Sequence, residues 1–286
     1  MVQNSYPDWI RVRHLNGETN QMITQLLDDL KLHTVCQSAR CPNQGSCFNQ
    51  GTATFMILGD ICTRNCHFCA IQKGVPSSLD EDEPRLLAEA VKRLKLDYVV
   101  ITSVTRDDLE DGGASVFAQT IKEIRMASFA FIEILTPDFQ GKHKALEIIS
   151  NAQPSVFNHN LETVSRLYST IRPQANYHRS LWVLSTMKKL LPSAKIKSGL
   201  MVGLGERESE VIDALHDLRE TGCDFITIGQ YLAPSNKHYP VVEYVHPEQF
   251  FKYQQIALSI GFIGVVSGPL VRSSYHAKKM FEEALL

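Results

Sequence analysis

The chain has 286 residues, of which 21% are charged and 44% hydrophobic, and its formal net charge at pH 7 is −2. This composition excludes a largely disordered chain and a strongly basic surface for nucleic acids, and the length fits one α/β barrel domain. No apolar run approaches the roughly 18 to 20 residues that cross a bilayer, and the first residues lack the apolar stretch of a secretory signal, so the sequence predicts a cytoplasmic protein.

The predicted elements begin with one helix at residues 21–30, followed by a series of short apolar runs that predict strands. These runs are residues 54–58, 98–102, 129–135, 155–158, 196–202, 225–229 and 262–267. Helical periodicity between the runs is clearest at residues 83–94 and 206–220. The repeated order of strand and then helix predicts a parallel sheet with right-handed crossovers.

Six strand and helix units predict an α/β fold, specifically an incomplete parallel (β/α)6 TIM-like barrel. The predicted division is an N-terminal extension at residues 1–53, the barrel at 54–261 and a C-terminal extension at 262–286. We expect the two extensions to cover the barrel ends. No internal repeat or linker marks a second domain, and a monomer is expected.

Polar and glycine-rich segments directly follow five of the predicted strands. They are GDICTRNCHFC, SVTRDDLEDGG, HNLE, GLGE and GQYLAPS. Reacting groups of parallel α/β folds gather at the carboxyl ends of the strands, because the loops there are free to vary. The sequence therefore predicts an active site at this edge of the sheet.

The first cysteine motif is CxxxCxxC, formed by Cys62, Cys66 and Cys69 directly after the first predicted strand. A reducing cytosol disfavours disulfides, so metal binding or redox catalysis is the more natural reading. Three thiolates on one loop can bind three irons of a four-iron cluster and leave the fourth iron open to S-adenosylmethionine. A zinc site is the main alternative, although it needs four ligands, usually as two separated pairs.

The second cysteine motif is CxxxxCxxxxxC, formed by Cys36, Cys41 and Cys47. Its three thiolates are also one ligand short of a zinc site or a saturated cluster. The fourth ligand could be water, Cys223 or an oxygen donor elsewhere. Cys223 precedes the sixth predicted strand, at the end opposite the expected active site, and we expect it to be a buried core thiol.

Nearly the whole chain resembles the lipoyl synthase family, through both cysteine motifs and a series of blocks in the same order as in that family. The blocks are CQSARCPN, TATFMILGDICTRNCHFCAI, TSVTRDDLEDGGA, LTPDFQG, HNLETV, KSGLMVGLGE, GCDFITIGQYLAPS, HYPVVEYVHPEQF and GPLVRSSYHA. The resemblance implies a radical S-adenosylmethionine sulfurtransferase with two four-iron clusters per chain. It implies insertion of sulfur at C6 and C8 of an octanoyl chain on a lysine of a carrier domain. Two S-adenosylmethionine molecules would be used per lipoyl group, and the sulfur would come from the second cluster, which is consumed.

The resemblance also implies a role for the RSSY motif at residues 272–275. Ser274 is the expected fourth ligand of the cluster on the second motif, and a serine oxygen, being a poorer partner for iron than a thiolate, should leave readily. Arg272 adjoins this ligand and is expected to take part in the catalytic site. From the residues alone, Ser273 and Ser274 could instead be the N-cap of a helix at residues 275–285.

Resemblance to radical S-adenosylmethionine enzymes in general suggests which residues contact that cofactor. The candidates are Ser103, Thr105 and Asp107 for its methionine part, Asn158, Asn160 and Glu162 for its ribose, and Gly199, Gly203 and Gly205 for its adenine. Turn, capping and strand-end roles are the alternatives. Four basic residues near the predicted mouth of the site could steer an acidic partner protein, namely Arg40, Arg64, Arg106 and Arg272. The alternative is that they are ordinary solvated surface charges. Arg272 is the one that we expect to take part in the site.

The partners that the resemblance implies are octanoylated lipoyl carrier domains, namely 2-oxoacid dehydrogenase E2 and the glycine cleavage H protein. A flavodoxin or ferredoxin reductant and iron-sulfur cluster carrier proteins are also implied, with neither nucleic acid nor membrane as a partner. One rival reading is another radical enzyme that inserts sulfur or methylthio groups, although the chain shows no basic patch for a nucleic-acid substrate. The other is a non-catalytic iron-sulfur carrier, which would need no S-adenosylmethionine pocket.

Overall fold

The computed structural model describes residues 6–10, 17–39, 41–49 and 53–285, and its central feature is one large β-sheet. The described strands are β1 (His33–Thr34), β2 (Thr54–Ile57), β3 (Ile61–Cys62), β4 (Gln72–Lys73), β5 (Tyr98–Ser103), β6 (Phe131–Leu135), β7 (Val156–Asn158), β8 (Lys195–Val202), β9 (Phe225–Gln230) and β10 (Gly264–Gly268). Eight of these described strands form the sheet, in the order β1-β2-β5-β6-β7-β8-β9-β10, and the short β3 and β4 pair with each other.

From β2 to β10 all neighbouring strands of the sheet are parallel, and only the edge strand β1 runs antiparallel to its neighbour among the described strands. All the strands predicted from apolar runs lie in this parallel part, so those predictions are confirmed. Parallel strands are covered on both faces, which is why they read as nearly continuous apolar runs. Strands β1 and β10 end the order, so the described strands form no closed barrel.

Helices connect the parallel strands. The described α-helices are α1 (Glu18–Asp29), α2 (Val35–Ser38), α3 (Gln44–Asn49), α4 (Glu83–Arg93), α5 (Ala114–Ala127), α6 (His143–Ala152), α7 (Tyr168–Ile171), α8 (Tyr177–Leu190), α9 (Glu208–Glu220), α10 (Pro247–Ile260) and α11 (Ala277–Glu283). The helices predicted at 21–30, 83–94 and 206–220 correspond to α1, α4 and α9, and are confirmed within a few residues. None of the described helices combines the length and apolar character needed to cross a bilayer.

Helix α4 illustrates how the sequence specifies a crossover. Pro84 lies in its first turn, where the missing amide hydrogen costs nothing. Leu87, Ala90 and Val91 recur at helical spacing and are buried against the sheet. The last turn contains Lys92 and Arg93, whose charges favour the negative end of the helix dipole. Propensity, pattern and charge therefore agree on this element.

The two faces of the sheet are covered by different parts of the chain. Val99 and Ile101 of β5 belong to the main apolar core, together with residues of α4 and α5. Tyr98 and Val100, on the opposite face of the same strand, belong to a second apolar cluster that includes Met280 of α11. The last helix of the described chain therefore packs on the face of the sheet that the connecting helices leave free.

A buried ion pair lies on this second face. Lys197 of β8 donates to both carboxylate oxygens of Glu133 of β6, at 2.8 and 3.1 Å. The Tyr98 hydroxyl donates to Glu133 at 2.6 Å, and the Asn158 amide donates to it at 3.1 Å. Both charged side chains are only 1% exposed. A buried charge without hydrogen-bond partners would be strongly unfavourable. These three donors replace the water molecules that the Glu133 carboxylate loses on burial.

Candidate active site

The first cysteine triad, Cys62, Cys66 and Cys69, lies on the short strand β3, which follows β2, and on the loop after it. The loop is held by hydrogen bonds to two neighbouring segments. Thr63 donates its backbone and hydroxyl hydrogens to the Thr105 carbonyl, both at 3.0 Å. The amide of His67 donates to the Ile171 carbonyl at 2.9 Å. Predicted residue Thr105 therefore has one role that the structure shows, which is to anchor this loop through its backbone.

The thiols of this first triad act on one another electrostatically. Desolvation raises the pKa of Cys69 to about 12, and the charges of Cys66 and Cys62 add to that increase. The pKa of Cys66 is also raised, chiefly by desolvation, while the positive charge of Arg172 opposes the increase. A thiolate at these positions needs positive charge beside it, which a metal group would supply.

The second triad lies on α2, α3 and the segment between them, next to the edge strand β1. Cys36 is buried in α2, Cys47 lies in α3, and Cys41 lies between the two helices. Desolvation raises the pKa of Cys36 to about 12 and that of Cys47 to about 11, and the charge of Cys41 raises both further. The three thiols therefore also form one electrostatic group.

Each triad offers the donor chemistry of an iron-sulfur cluster. Within each triad the charge of one thiolate raises the pKa of its neighbours. Thiolates are the ligands that iron-sulfur clusters use. The donor set therefore fits the predicted group.

The RSSY segment lies beside the second triad. The side chain of Asn43, two residues after Cys41, donates to the Leu270 carbonyl at 2.6 Å. Arg272 donates to the Gln230 carbonyl at 3.3 Å. Desolvation lowers the pKa of Arg272, and the charge of Cys41 counteracts that decrease, so the guanidinium lies within electrostatic reach of this thiol. Arg272 therefore lies where the charge of the second triad can act on it.

The alternative that Ser273 or Ser274 is the N-cap of the last helix is wrong. Helix α11 begins at Ala277, and its N-cap is His276, which adopts a left-handed conformation with a φ of 54°. The Ser273 hydroxyl instead donates to the Asn160 side-chain oxygen at 2.7 Å. Ser274 lies in the turn before the helix, where its carbonyl accepts the Ala277 amide at 3.3 Å.

Asn160 and Glu162 form a hydrogen-bonded pair next to the RSSY segment. The Asn160 amide nitrogen donates to a Glu162 carboxylate oxygen at 3.0 Å. Burial raises the pKa of Glu162, whereas the positive charge of Arg172 and the hydrogen bond from Asn160 lower it. The charge of Glu162 in turn raises the pKa of Cys66. Two hydrogen bonds therefore link the RSSY segment to Glu162, whose charge acts on Cys66 of the first triad.

Two arginines that were predicted as charges at the mouth are buried. Arg64 donates to Asp107 and to Asp138, with a shortest distance of 2.6 Å to each. Burial alone would raise the pKa of Asp138, but the hydrogen bond and charge of Arg64 hold it well below its usual range. Arg106 is also buried and pairs with Asp108 at 2.9 Å. Neither is a solvated or steering charge, and Arg40 lies outside the described residues.

The remaining predicted cofactor contacts are of two kinds. The Ser103 hydroxyl and the Asn158 side-chain oxygen are buried and have no hydrogen-bond partner among the described residues. Such atoms are available to a bound molecule. The Asp107 carboxylate, in contrast, is already occupied by Arg64. At Gly203, φ is 94° and an added Cβ would lie 2.2 Å from the Gln230 side chain, so the protein itself requires this glycine.

Sequence reasoning missed Arg172, and it missed the ion pair between Glu133 and Lys197. Arg172 donates to the Asn160 and Leu161 carbonyls at 3.1 and 3.2 Å, and its Nε atom is buried without a partner among the described residues. No motif marks this residue. The ion pair had a signal in Glu133, which is the one charged residue of the otherwise apolar strand β6.

We expect the stability of the cluster-free protein to depend on pH through the buried residue His159. Its ring is buried between the Thr136 carbonyl and the Ser180 hydroxyl. Burial lowers the pKa of His159 to about 4, and the charge of Arg172 acts in the same direction. As the pH decreases, His159 therefore takes up a proton near pH 6.5 in the unfolded chain but only near pH 4 in the folded chain. The free energy of unfolding consequently falls as the pH decreases. The expected loss from this group between pH 7 and 4 is about 3 kcal/mol.

Urea unfolding of wild type and His159→Gln across this pH range measures the contribution of His159. The variant should show a flatter profile, because glutamine does not titrate. Parallel profiles would contradict the prediction.

Comparison with known proteins assigns residues 56–218 to the Radical SAM superfamily. A lipoyl synthase from Caldanaerobacter subterraneus subsp. tengcongensis is 57% identical over 271 residues, which cover 95% of each chain. A lipoyl synthase from Caldicellulosiruptor saccharolyticus is 55% identical over 280 residues, which cover 98% of each chain.

Two solved structures share the fold at low sequence identity. Methylornithine synthase (PylB) has a TM-score of 0.56 and 13% identity, over 85% of this chain and 74% of its own. HydG, a hydrogenase maturase, has a TM-score of 0.59 and 14% identity, over 87% of this chain and 57% of its own. At such low identity these likenesses concern the fold alone.

Proposed function

The chain belongs to the lipoyl synthase family of the radical S-adenosylmethionine superfamily, and from this premise we propose how its residues carry out sulfur insertion. The reaction adds two sulfur atoms, at C6 and C8, to an octanoyl chain attached to a lysine of a lipoyl carrier domain. The family predicted from the sequence motifs is confirmed. The observation that carries the proposal is that hydrogen bonds join Ser273 of the RSSY segment to Asn160 and Asn160 to Glu162, whose charge acts on Cys66 of the first triad.

We assign the radical-generating site to Cys62, Cys66 and Cys69. A four-iron cluster held by these three thiolates would supply the electron that S-adenosylmethionine cleavage needs, and so the radical chemistry at unactivated carbon. The protein's part is to hold three thiolates on one anchored loop and to provide the positive charge of Arg172 beside Cys66. Partial burial of the loop limits access of water to the thiolates.

We assign the sulfur-donating site to a second cluster on Cys36, Cys41 and Cys47, with Ser274 as its fourth ligand. Such a cluster supplies the sulfur that enters the product. The hydrogen bond from Asn43 to the Leu270 carbonyl supports this assignment, because it holds the chain just before the RSSY motif next to the second triad, and the charge of Cys41 acts on Arg272. Arg272 would act there as a positioning residue and a local positive charge.

We propose that S-adenosylmethionine lies between the triads, at the carboxyl ends of the parallel strands. The candidates for contact are Ser103, Thr105, Asp107, Asn158, Asn160, Glu162 and Gly203. Among these, the unpartnered buried oxygens of Ser103 and Asn158 are the atoms best prepared to receive hydrogen bonds. Asp107 would act through its ion pair with Arg64, and Gly203 through backbone shape.

The proposal also includes an incomplete barrel as the fold and a set of partner proteins. The order of parallel strands and the packing of α11 on the free face of the sheet support an incomplete (β/α)6 barrel with a C-terminal cover. The division at residues 53 and 261, the cytoplasmic location, the flavodoxin or ferredoxin reductant and the cluster carrier proteins stay predictions. Octanoylated E2 domains and the glycine cleavage H protein are the proposed substrates.

An anaerobic assay tests the proposed function directly. Reconstituted protein is incubated with S-adenosylmethionine, dithionite and an octanoylated carrier domain, and the carrier is followed by mass spectrometry. We expect a mass gain of two sulfur atoms together with 5′-deoxyadenosine release. Release without sulfur gain on the carrier would favour a different radical enzyme. No release would favour a non-catalytic iron-sulfur protein.

Replacing Ser274 with alanine tests the fourth ligand. Because the three thiolates would remain, we expect Ser274→Ala to keep S-adenosylmethionine cleavage but to lose most sulfur insertion and to hold less iron at the second triad. Iron analysis and the carrier assay measure the two effects. Unchanged iron content and unchanged sulfur insertion would show that Ser274 is not the ligand.

A further inference from the structure

The segment that contains Ser274 is fixed by side-chain hydrogen bonds from several directions. Asn43 bonds to the Leu270 carbonyl at 2.6 Å, and Arg272 bonds to the Gln230 carbonyl at 3.3 Å. The third contact, from the Ser273 hydroxyl to the Asn160 side chain at 2.7 Å, is made by the residue directly before Ser274. It is therefore the contact with the most direct control over where the Ser274 side chain lies.

Asn160 is a rigid acceptor for this bond. Its side-chain amide nitrogen donates to the Glu162 carboxylate at 3.0 Å, and its backbone carbonyl accepts from Arg172 at 3.1 Å. A carboxylate only accepts hydrogen bonds, so the amide nitrogen must face Glu162 and the amide oxygen must face Ser273. Glu162 is fixed in turn, because its backbone amide donates to the Gly199 carbonyl at 2.9 Å.

Gly199 provides the space in which these side chains meet. A Cβ atom at this position would lie 2.8 Å from the Asn160 oxygen, 2.9 Å from the Thr227 hydroxyl and 3.1 Å from the Ser273 hydroxyl. The first two separations are too short for a carbon atom, and the third is tight. A larger residue would therefore displace the side chains of Asn160 and Ser273. This glycine therefore has a use that does not depend on the adenine contact predicted from the sequence.

We propose that Ser273 and Asn160 are positioning residues that hold Ser274 in place as the labile fourth ligand of the second cluster. This inference rests on the proposed function of the second triad. The mechanism is the hydrogen bond between the two side chains, which ties the ligand segment to the loop that follows β7. Loss of the bond would let Ser274 leave its position while the three cysteines stay.

The test uses protein in which Cys62, Cys66 and Cys69 are all replaced by alanine, so that only the second triad can hold a cluster. Iron and sulfide content are measured after anaerobic reconstitution, and iron loss to a chelator is followed with time. Ser273→Ala and Asn160→Ala should each lose iron several-fold faster than the parent, up to about tenfold for one hydrogen bond. Ser273→Thr keeps a hydroxyl and should behave like the parent.

Combination with Ser274→Ala separates positioning from a general effect on folding. If Ser273 acts through Ser274, the double variant Ser273→Ala/Ser274→Ala should lose iron no faster than Ser274→Ala alone. Mössbauer spectra should lose the same oxygen-ligated iron signature in Ser273→Ala and in Ser274→Ala. Ser259→Ala, at an exposed site on α10, is the matched serine control and should change nothing.

The outcomes distinguish this inference from the proposed function. Parent protein that cannot hold a second cluster would overturn both. A stable cluster whose iron loss is unchanged in Ser273→Ala and Asn160→Ala would overturn the inference alone, as would additive effects of the Ser273 and Ser274 variants. Should Ser273→Ala fail to fold, Asn160→Ala and Ser273→Thr still give the decisive comparison.

Discussion

Replacement of Cys62 with alanine is expected to abolish 5′-deoxyadenosine release from S-adenosylmethionine, whereas replacement of Cys36 should spare much of it and abolish sulfur insertion. The reason is that the two residues belong to separate electrostatic groups of thiols. The charge of Cys62 acts on Cys66 and Cys69, while the charges of Cys41 and Cys47 act on Cys36. Loss of one ligand should therefore empty one site and leave the other.

The measurement is parallel quantification of 5′-deoxyadenosine and of sulfur gain on an octanoylated carrier domain. Cys223→Ala is the matched control, because Cys223 is fully buried at the amino end of β9 and bonds the carbonyls of Ile196 and Phe225. It should retain both reactions. Equal loss of both reactions in Cys62→Ala and Cys36→Ala would contradict the division between the two sites.

Replacement of Lys197 with methionine is expected to have the largest effect on stability, a loss of about 3 to 5 kcal/mol in the free energy of unfolding. Methionine fills much of the same volume but leaves the Glu133 carboxylate buried without its cationic partner. The two remaining donors, from Tyr98 and Asn158, replace only part of the lost interaction. Urea unfolding of the cluster-free protein measures the change.

A second substitution tests whether the unpaired charge is the cause of this loss. In Lys197→Met/Glu133→Gln the charge is removed while an oxygen still accepts from Tyr98, so much of the lost stability should return. Lys278→Met is the control, because Lys278 pairs with Asp97 at the surface and surface ion pairs contribute little. A double variant no more stable than Lys197→Met would show that the ion pair is not the reason.

Much of the fold could be predicted from the sequence because parallel strands buried on both faces read as apolar runs. Strands β2 and β9 are buried at every position, and helices α4 and α9 have a clear apolar face. Strands β1, β3 and β4 were missed, since two residues each are too few for a pattern. The edge strand β1 nevertheless brings the second triad to the sheet.

The sequence by itself determined the two cysteine motifs on which the proposed cluster chemistry depends. The three cysteines of each motif lie close together along the chain, so their spacing can be read from the sequence. Only the tertiary structure decided which distant side chains meet. Ser273 and Asn160 are 113 residues apart and meet in the space left by Gly199. Arg64, read as a charge at the mouth, is buried between Asp107 and Asp138. Such contacts depend on strand order and loop packing, for which local spacing contains no signal.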